Sequence, residues 1–157
     1  MANNDVAWLD PTELAAWVGL IKVAALIVGL SDGELRRRHG ITGRDYELLH
    51  HLSEDDDGRR VSDLALDIDD TSSCITHRVN RLAEAGLVVK RADPADRRAR
   101  RVSLTARGRT LLAEAAPGHA TRVRQWVIDP LSRRDLADLT RITTKLGPHL
   151  RAAASAG

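Results

Sequence analysis

Phenylalanine is absent from this 157-residue chain, aromatic residues make up 3% of it, and Cys74 is its single cysteine. So few rings exclude a sheet that stacks single-stranded bases on aromatic side chains, and any nucleic acid bound here is expected to be duplex. One thiol excludes a disulfide framework and suits a reducing compartment, so a cytoplasmic location is expected. The N-terminal MANNDVAWLD has no basic stretch ahead of an apolar core, and no secretory signal is expected. Nor is there a long uncharged hydrophobic run: LAAWVGLIKVAALIVGL (14–30) is slightly short for a membrane span and carries Lys22 in its middle. It reads better as a buried or dimer-forming helix, with no membrane partner. Neither a GxSxG elbow nor a P-loop occurs, and Ser73 with His77 at helical spacing lacks any sign of an oxyanion site, so no enzymatic activity and no cofactor are expected.

What is present is a core's worth of aliphatic residues, 43% hydrophobic overall, and a charge distribution that the formal net of +2 conceals. Residues 40–70 hold three arginines against ten aspartates and glutamates, a balance of −7, whereas residues 71–110 hold ten lysines and arginines against three acids, a balance of +7. A basic segment beside an acidic one is an oriented surface, and duplex phosphate is the commonest partner of the basic side. The alternative is a solvated face with no partner.

Apolar residues at Leu14, Val18, Ile21, Ala25, Val28 and Leu35 predict a helix from Pro11 to about Arg38, widened by Leu20, Val23, Ala24 and Ile27. That stripe is too broad for a monomer's surface and calls for a second subunit. After Gly40, Thr42 and Asp45 make a capping box for a helix burying Leu48, Leu49 and Leu52, with Tyr46 on the same inner face. A short helix follows with Ser62 as cap, burying Leu64, Ala65 and Ile68. The next is capped at Thr71 or Ser72, buries Ile75, Val79 and Leu82, and stops at Gly86. Two short helices joined by a few polar residues, then LVVKRA, the turn DPADRR and ARRVSL, describe a helix-turn-helix followed by a β-hairpin wing. The fold class is therefore mainly α with a small hairpin wing. A long helix kinked at Pro117 and a last one with a capping box from Ser132 to Asp135, lined by Leu136, Leu139, Ile142, Leu146 and Leu150, complete a single domain without repeats.

This order of parts resembles the MarR (multiple antibiotic resistance regulator) family of transcription factors over about residues 10–150. Its most specific piece is Asp96, Arg97 and Arg98 followed by Val102, Leu104, Thr105 and Gly108; ITHRVNRLAEAGLV is similar to the family's recognition helix. The resemblance implies a homodimer whose terminal helices (11–38 and 106–152) form a dimer core, while two winged lobes (42–105) straddle a pseudo-palindromic operator. It also implies a regulator, usually a repressor, released by a small-molecule effector. The first helix has no cysteine, which departs from the family's peroxide-sensing pattern.

On that reading Arg98 is the wing-tip residue of the minor groove with Asp96 holding its guanidinium, and Arg97, Arg100 and Arg101 contact phosphate or pair with the acidic 54–70 segment. On the recognition helix, Ser73, Thr76, His77, Asn80 and Arg81 lie opposite the buried face and read base edges or phosphates; the alternative for Arg81 is a structural pair with an acidic neighbour. Thr71 and Ser72 stand where free backbone N–H groups suit a phosphate, or serve only as caps. Trp17, Tyr46 and Trp126 are candidates for an effector pocket, or ordinary packing. Cys74, in the helix's first turn, is either redox-active or a small apolar filler. Six histidines, His39, His50, His51, His77, His119 and His149, raise zinc sensing, but no His-x-x-x-His pair occurs and no metal site is expected. A winged-helix protein-interaction module that does not read DNA is the alternative from another class.

Overall fold

The computed structural model describes residues 7–94, 96 and 99–155. Helix α1 (Pro11–His39) begins where the sequence supplies a cap: the Asp10 carboxylate accepts the N–H groups of Thr12 at 2.7 Å and Glu13 at 2.9 Å, Glu13 reaches back to the Asp10 N–H, and Pro11 presets the first turn. It ends at Gly40, whose φ of 70° closes the helix by donating to the Arg36 carbonyl. The expected box at Thr42 and Asp45 opens α2 (Gly43–Ser53), with N–H to side-chain distances of 2.8 and 3.1 Å.

A two-residue strand, β1 (Arg59–Arg60), leads into α3 (Val61–Asp67). Ser62 is not the cap expected of it: Arg60 holds the cap position without a side-chain bond, and the Ser62 hydroxyl donates to Asp63 inside the helix. β1 makes that cap unnecessary, because the sheet already fixes the chain's entry into α3. Thr71 caps α4 (Ser72–Glu84), accepting the Cys74 N–H at 3.2 Å. Gly86, at φ 71°, turns the chain into β2 (Val88–Ala92), which pairs antiparallel with β3 (Arg100–Leu104) from Val88 opposite Leu104 to Ala92 opposite Arg100. The hairpin is thus a three-stranded sheet in the order β1-β3-β2, with Arg59 opposite Val102. Two residues are too short a run for alternation to announce a strand.

Helix α5 (Ala106–Val123) continues through Pro117 without a break in helical backbone. A π-helical turn, Arg124–Ile128, closes with the Asp129 N–H on the Arg124 carbonyl at 2.8 Å. Helix α6 (Arg133–Ser155) follows its expected Ser132–Asp135 cap.

The core lies in the winged lobe. Leu48, Leu49 and Leu52 of α2, Leu64 of α3, Ile75, Val79 and Leu82 of α4, and Val88, Val102 and Leu104 of the sheet are buried together with Leu35 from the end of α1 and Leu112 of α5. α1 and α6, in contrast, carry their apolar residues outward: Ile21 is 48%, Leu26 65%, Ile142 43% and Leu150 60% exposed in the single chain. By length and composition α1 is apolar enough to cross a membrane, more than the 14–30 run suggested, yet its last turns bury Glu34 and Leu35 against the winged lobe.

Two glycines hold the lobe together by close approach. A Cβ at Gly108 would lie 2.1 Å from the Leu87 carbonyl oxygen, where Thr105 caps α5 and donates to the Gly86 carbonyl at 2.7 Å; one at Gly58, whose φ is 80°, would lie 2.6 Å from that of Val102. The obstruction is backbone, so Gly108→Ala should destabilise the lobe by about 1–3 kcal/mol, toward the upper end, in denaturant titration.

Candidate nucleic-acid interface

The surface of α4 follows from its cap and its period. With Ile75 and Val79 almost fully buried, the opposite face exposes Ser72, Ser73, Thr76, His77 and Asn80, so these predicted residues share one exposed helix surface. Thr76 donates within the helix to the Ser72 carbonyl at 2.7 Å, and the Asn80 side-chain oxygen accepts from Lys90 Nζ of β2 at 2.7 Å. Lys90 thereby ties α4 to the sheet. Between the two elements lies an open cleft of about 420 Å³ lined by Ser72, Thr76, Asn80, Lys90 and Arg100, the last exposed at the start of β3.

Two buried carboxylates set how these elements face one another. Asp45 is fully buried; besides capping α2 it takes a hydrogen bond from Arg81 and lies 3.9 Å from Arg78 Nε. Arg81 is therefore the structural partner weighed above for it, although 47% of its side chain remains exposed. Asp93, just after β2, is 2% exposed and receives Arg60 Nε at 2.7 Å, with Arg101 Nη1 at 3.6 Å and the Asp96 N–H at 3.2 Å. Arg101 also donates to the Gly58 carbonyl and approaches Asp55, so it pairs with the acidic segment as one alternative had it. Arg97 and Arg98 lie outside the described residues.

Asp70 anchors the start of α4. Burial raises its pKa, but the Thr71 N–H at 2.8 Å, the Cys74 side chain and Arg78 at 3.3 Å outweigh it and hold the carboxyl below its ordinary range. Cys74 is exposed, so the buried-filler reading of it is corrected: as the third residue of α4 it points away from the Ile75 face and meets Asp70.

The three candidates for an effector pocket lie on different elements. Trp17 is 56% exposed on α1, Trp126 sits in the π-helical turn, and Tyr46 packs on His119 of α5 with ring centroids 4.5 Å apart. Burial lowers the His119 pKa against the opposing pull of Glu34, and burial likewise raises that of Tyr46. Among the described residues no group of three or more His, Cys, Asp or Glu side chains is placed to hold a metal. The arginines missed from sequence, Arg60 and Arg78, gave no local signal because their carboxylates come from other elements.

A helix-turn-helix with an adjoining wing defines the class. Residues 41–108 match the family model of a winged helix DNA-binding domain. The chain is 34% identical to AbsC, a MarR family transcriptional regulator from Streptomyces coelicolor, over 94% of this chain and 99% of that one, with a TM-score of 0.88. It is 32% identical to Sco3205, a MarR family regulator from the same organism solved in complex with DNA, over 94% and 93% of the two chains, with a TM-score of 0.89. It is also 28% identical over 113 residues, 70% of this chain and 74% of the relative, to the HTH-type transcriptional regulator MhqR of Bacillus subtilis (strain 168). The chain belongs to the MarR family of transcriptional regulators.

Removing Asp45 unfastens the α2 capping box and leaves the half-exposed Arg81 without its carboxylate, while Arg78 keeps Asp70, so Asp45→Ala should cost about 1–3 kcal/mol in chemical denaturation. Asp70 contributes stability when ionised, a contribution present above its unfolded pKa and lost as pH falls through the lower folded one. Asp70→Asn should accordingly unfold more readily than the parent near neutral pH, with the difference closing below about pH 4 in pH-dependent melting.

Proposed function

We propose that this regulator is a cytoplasmic homodimer that binds a pseudo-palindromic operator in duplex DNA and represses transcription until a small-molecule effector releases it. The observation that carries the reading is the exposed polar face of α4, with Lys90 and Arg100 of the hairpin beside it. A helix of this kind inserts into the major groove while the wing tracks the neighbouring backbone. Thr71, Ser72, Ser73, Thr76, His77 and Asn80 are assigned to base edges and phosphates, Arg81 to a partly exposed supporting position, Arg98 to the adjacent minor groove with Asp96 holding it, and Arg97 and Arg100 to phosphates beside it. That Sco3205 was solved with DNA, and CouR, a transcriptional repressor 25% identical to this chain, with a 23-mer duplex, supports DNA as the partner.

Dimerisation is assigned to 11–38 and 106–152, the helical region outside the winged lobe of 42–105. The apolar faces of α1 and α6 stand uncovered in one chain, and a two-fold partner is what an aliphatic stripe of that breadth requires. Trp17, Tyr46 and Trp126 are assigned to an effector pocket between the dimer core and the DNA-binding lobe, which requires a partner subunit to complete it.

The purified chain should sediment as a dimer and bind operator fragments selected from genomic DNA with an affinity that falls on a log–log salt plot by about 0.9 per phosphate neutralised. Asn80→Ala should lower operator affinity by about 1–3 kcal/mol and relax the sequence preference in a competition assay. A monomer, or a chain indifferent to duplexes in dilute buffer, would overturn the proposal.

A further inference from the structure

The cleft between α4 and the hairpin has a counterpart on the helix's other side. There α4 faces the end of α1 and the start of α2 across an open cleft of about 680 Å³, lined by Arg36, Arg44, Ser73, His77, Arg78 and Arg81 among others. Four arginines stand in its wall against one carboxylate, Asp32. Arg78 and Arg81 are committed to Asp45 and Asp70, which largely balance their charge, although Arg78 Nη1 is buried without a hydrogen-bond partner. Arg36 and Arg44 are differently placed. Their side chains are 61% and 56% exposed, and each is paired only within its own helix, to Asp32 at 3.1 Å and to Glu47 at 3.1 Å. Exposed pairs of that spacing are weak and are readily exchanged for a stronger anion.

A helix lying in a groove about 12 Å wide has a phosphate strand on each side of it. The hairpin-side cations, Lys90 and Arg100, serve one wall. Resting on the DNA-binding reading above, we propose that the cleft of Arg36 and Arg44 receives backbone phosphodiesters of the opposite wall, so that α4 is clamped between two rails of cations supplied by different parts of the chain. The breadth of the cleft favours a polymer backbone over a small anion, because sites for small molecules enclose most of their ligand. His77 and Ser73 line the same cleft, so reading a base and gripping the far strand are parts of one contact.

The test uses the full-length chain, a random-sequence duplex of about 30 base pairs and a selected operator fragment, with binding followed by fluorescence anisotropy at several salt concentrations. Each lost phosphate contact removes about 0.9 from the log–log slope, which is about a 3.5-fold smaller drop in affinity between about 50 and about 200 mM salt. Arg36→Ala and Arg44→Ala should each show that reduction on both duplexes, leaving the ratio of operator to random affinity unchanged, and Arg44→Lys should restore the slope. Circular dichroism melting checks that the exposed substitutions leave the fold intact, and Arg44→Gln serves as a second variant. Slopes equal to that of the parent chain in both alanine variants would overturn the second rail. A parent chain that binds neither duplex would instead overturn the reading on which it rests.

Discussion

A buried carboxylate without a cation is among the most costly groups a protein interior can hold, and Asp45 and Asp93 turn that cost into geometry. Asp45 sits at the start of α2 and holds Arg78 and Arg81 of α4; Asp93 sits at the end of β2 and holds Arg60 and Arg101 of the other two strands. Neither acid can shift without weakening both of its pairings. The first fixes the rotation of α4 about its own axis, and so which residues face outward. The second fixes the sheet that carries the hairpin relative to the start of α3. A DNA-binding helix and its wing must be presented at one mutual angle, and ion pairs from separate elements add directional contacts to the aliphatic packing between them.

The same pairs account for the charge pattern. The excess of acid in residues 40–70 does not form a separate acidic face, because part of it is spent on the basic segment that follows: Asp45 and Asp70 on α4, and Asp55 on Arg101. What remains for a partner is smaller than the +7 of residues 71–110 and differently distributed. Among the described residues it includes Lys90 and Arg100 beside α4.

Elements whose signals lie within one turn of helix were legible from the sequence. The boxes at Thr42 and Ser132, the cap at Thr71, the glycine stops at Gly40 and Gly86 and the Ile75, Val79, Leu82 face all depend on residues no more than a few positions apart. The misses are of the opposite kind. Arg81 and Asp45 are 36 residues apart, Arg60 and Asp93 33, and β1 is recognisable only through its pairing with β3. An arginine in a basic run looks the same whether its partner is a phosphate or a carboxylate folded beneath it. The polar face of α4 was legible because amphipathic periodicity places it, whereas which of its cations are free is decided by tertiary contacts. Pro117 is a different case: it gives a strong local signal, whereas the π-helical turn at Arg124–Ile128 has no signal in the sequence.

An aliphatic core without phenylalanine fills a winged lobe of this size because leucine, isoleucine and valine from three helices and a sheet interdigitate at short range. The consequence falls on α1, which contributes only its last turns to that core and carries the rest of its apolar surface outward. Length and composition alone would let such a helix enter a bilayer. Its C-terminal end is nonetheless bound into the polar network of the lobe, with Glu34 buried between Arg38 at 3.1 Å and Arg122 of α5 at 3.9 Å and the Asp32 carboxylate accepting the Gly43 N–H at 2.7 Å. A span anchored that way would press the winged lobe and its cation-lined clefts against the headgroups. The end of α1 therefore belongs to the winged lobe, while the apolar stripe before it stays uncovered in the single chain and is the surface to which the proposed dimer contact is assigned.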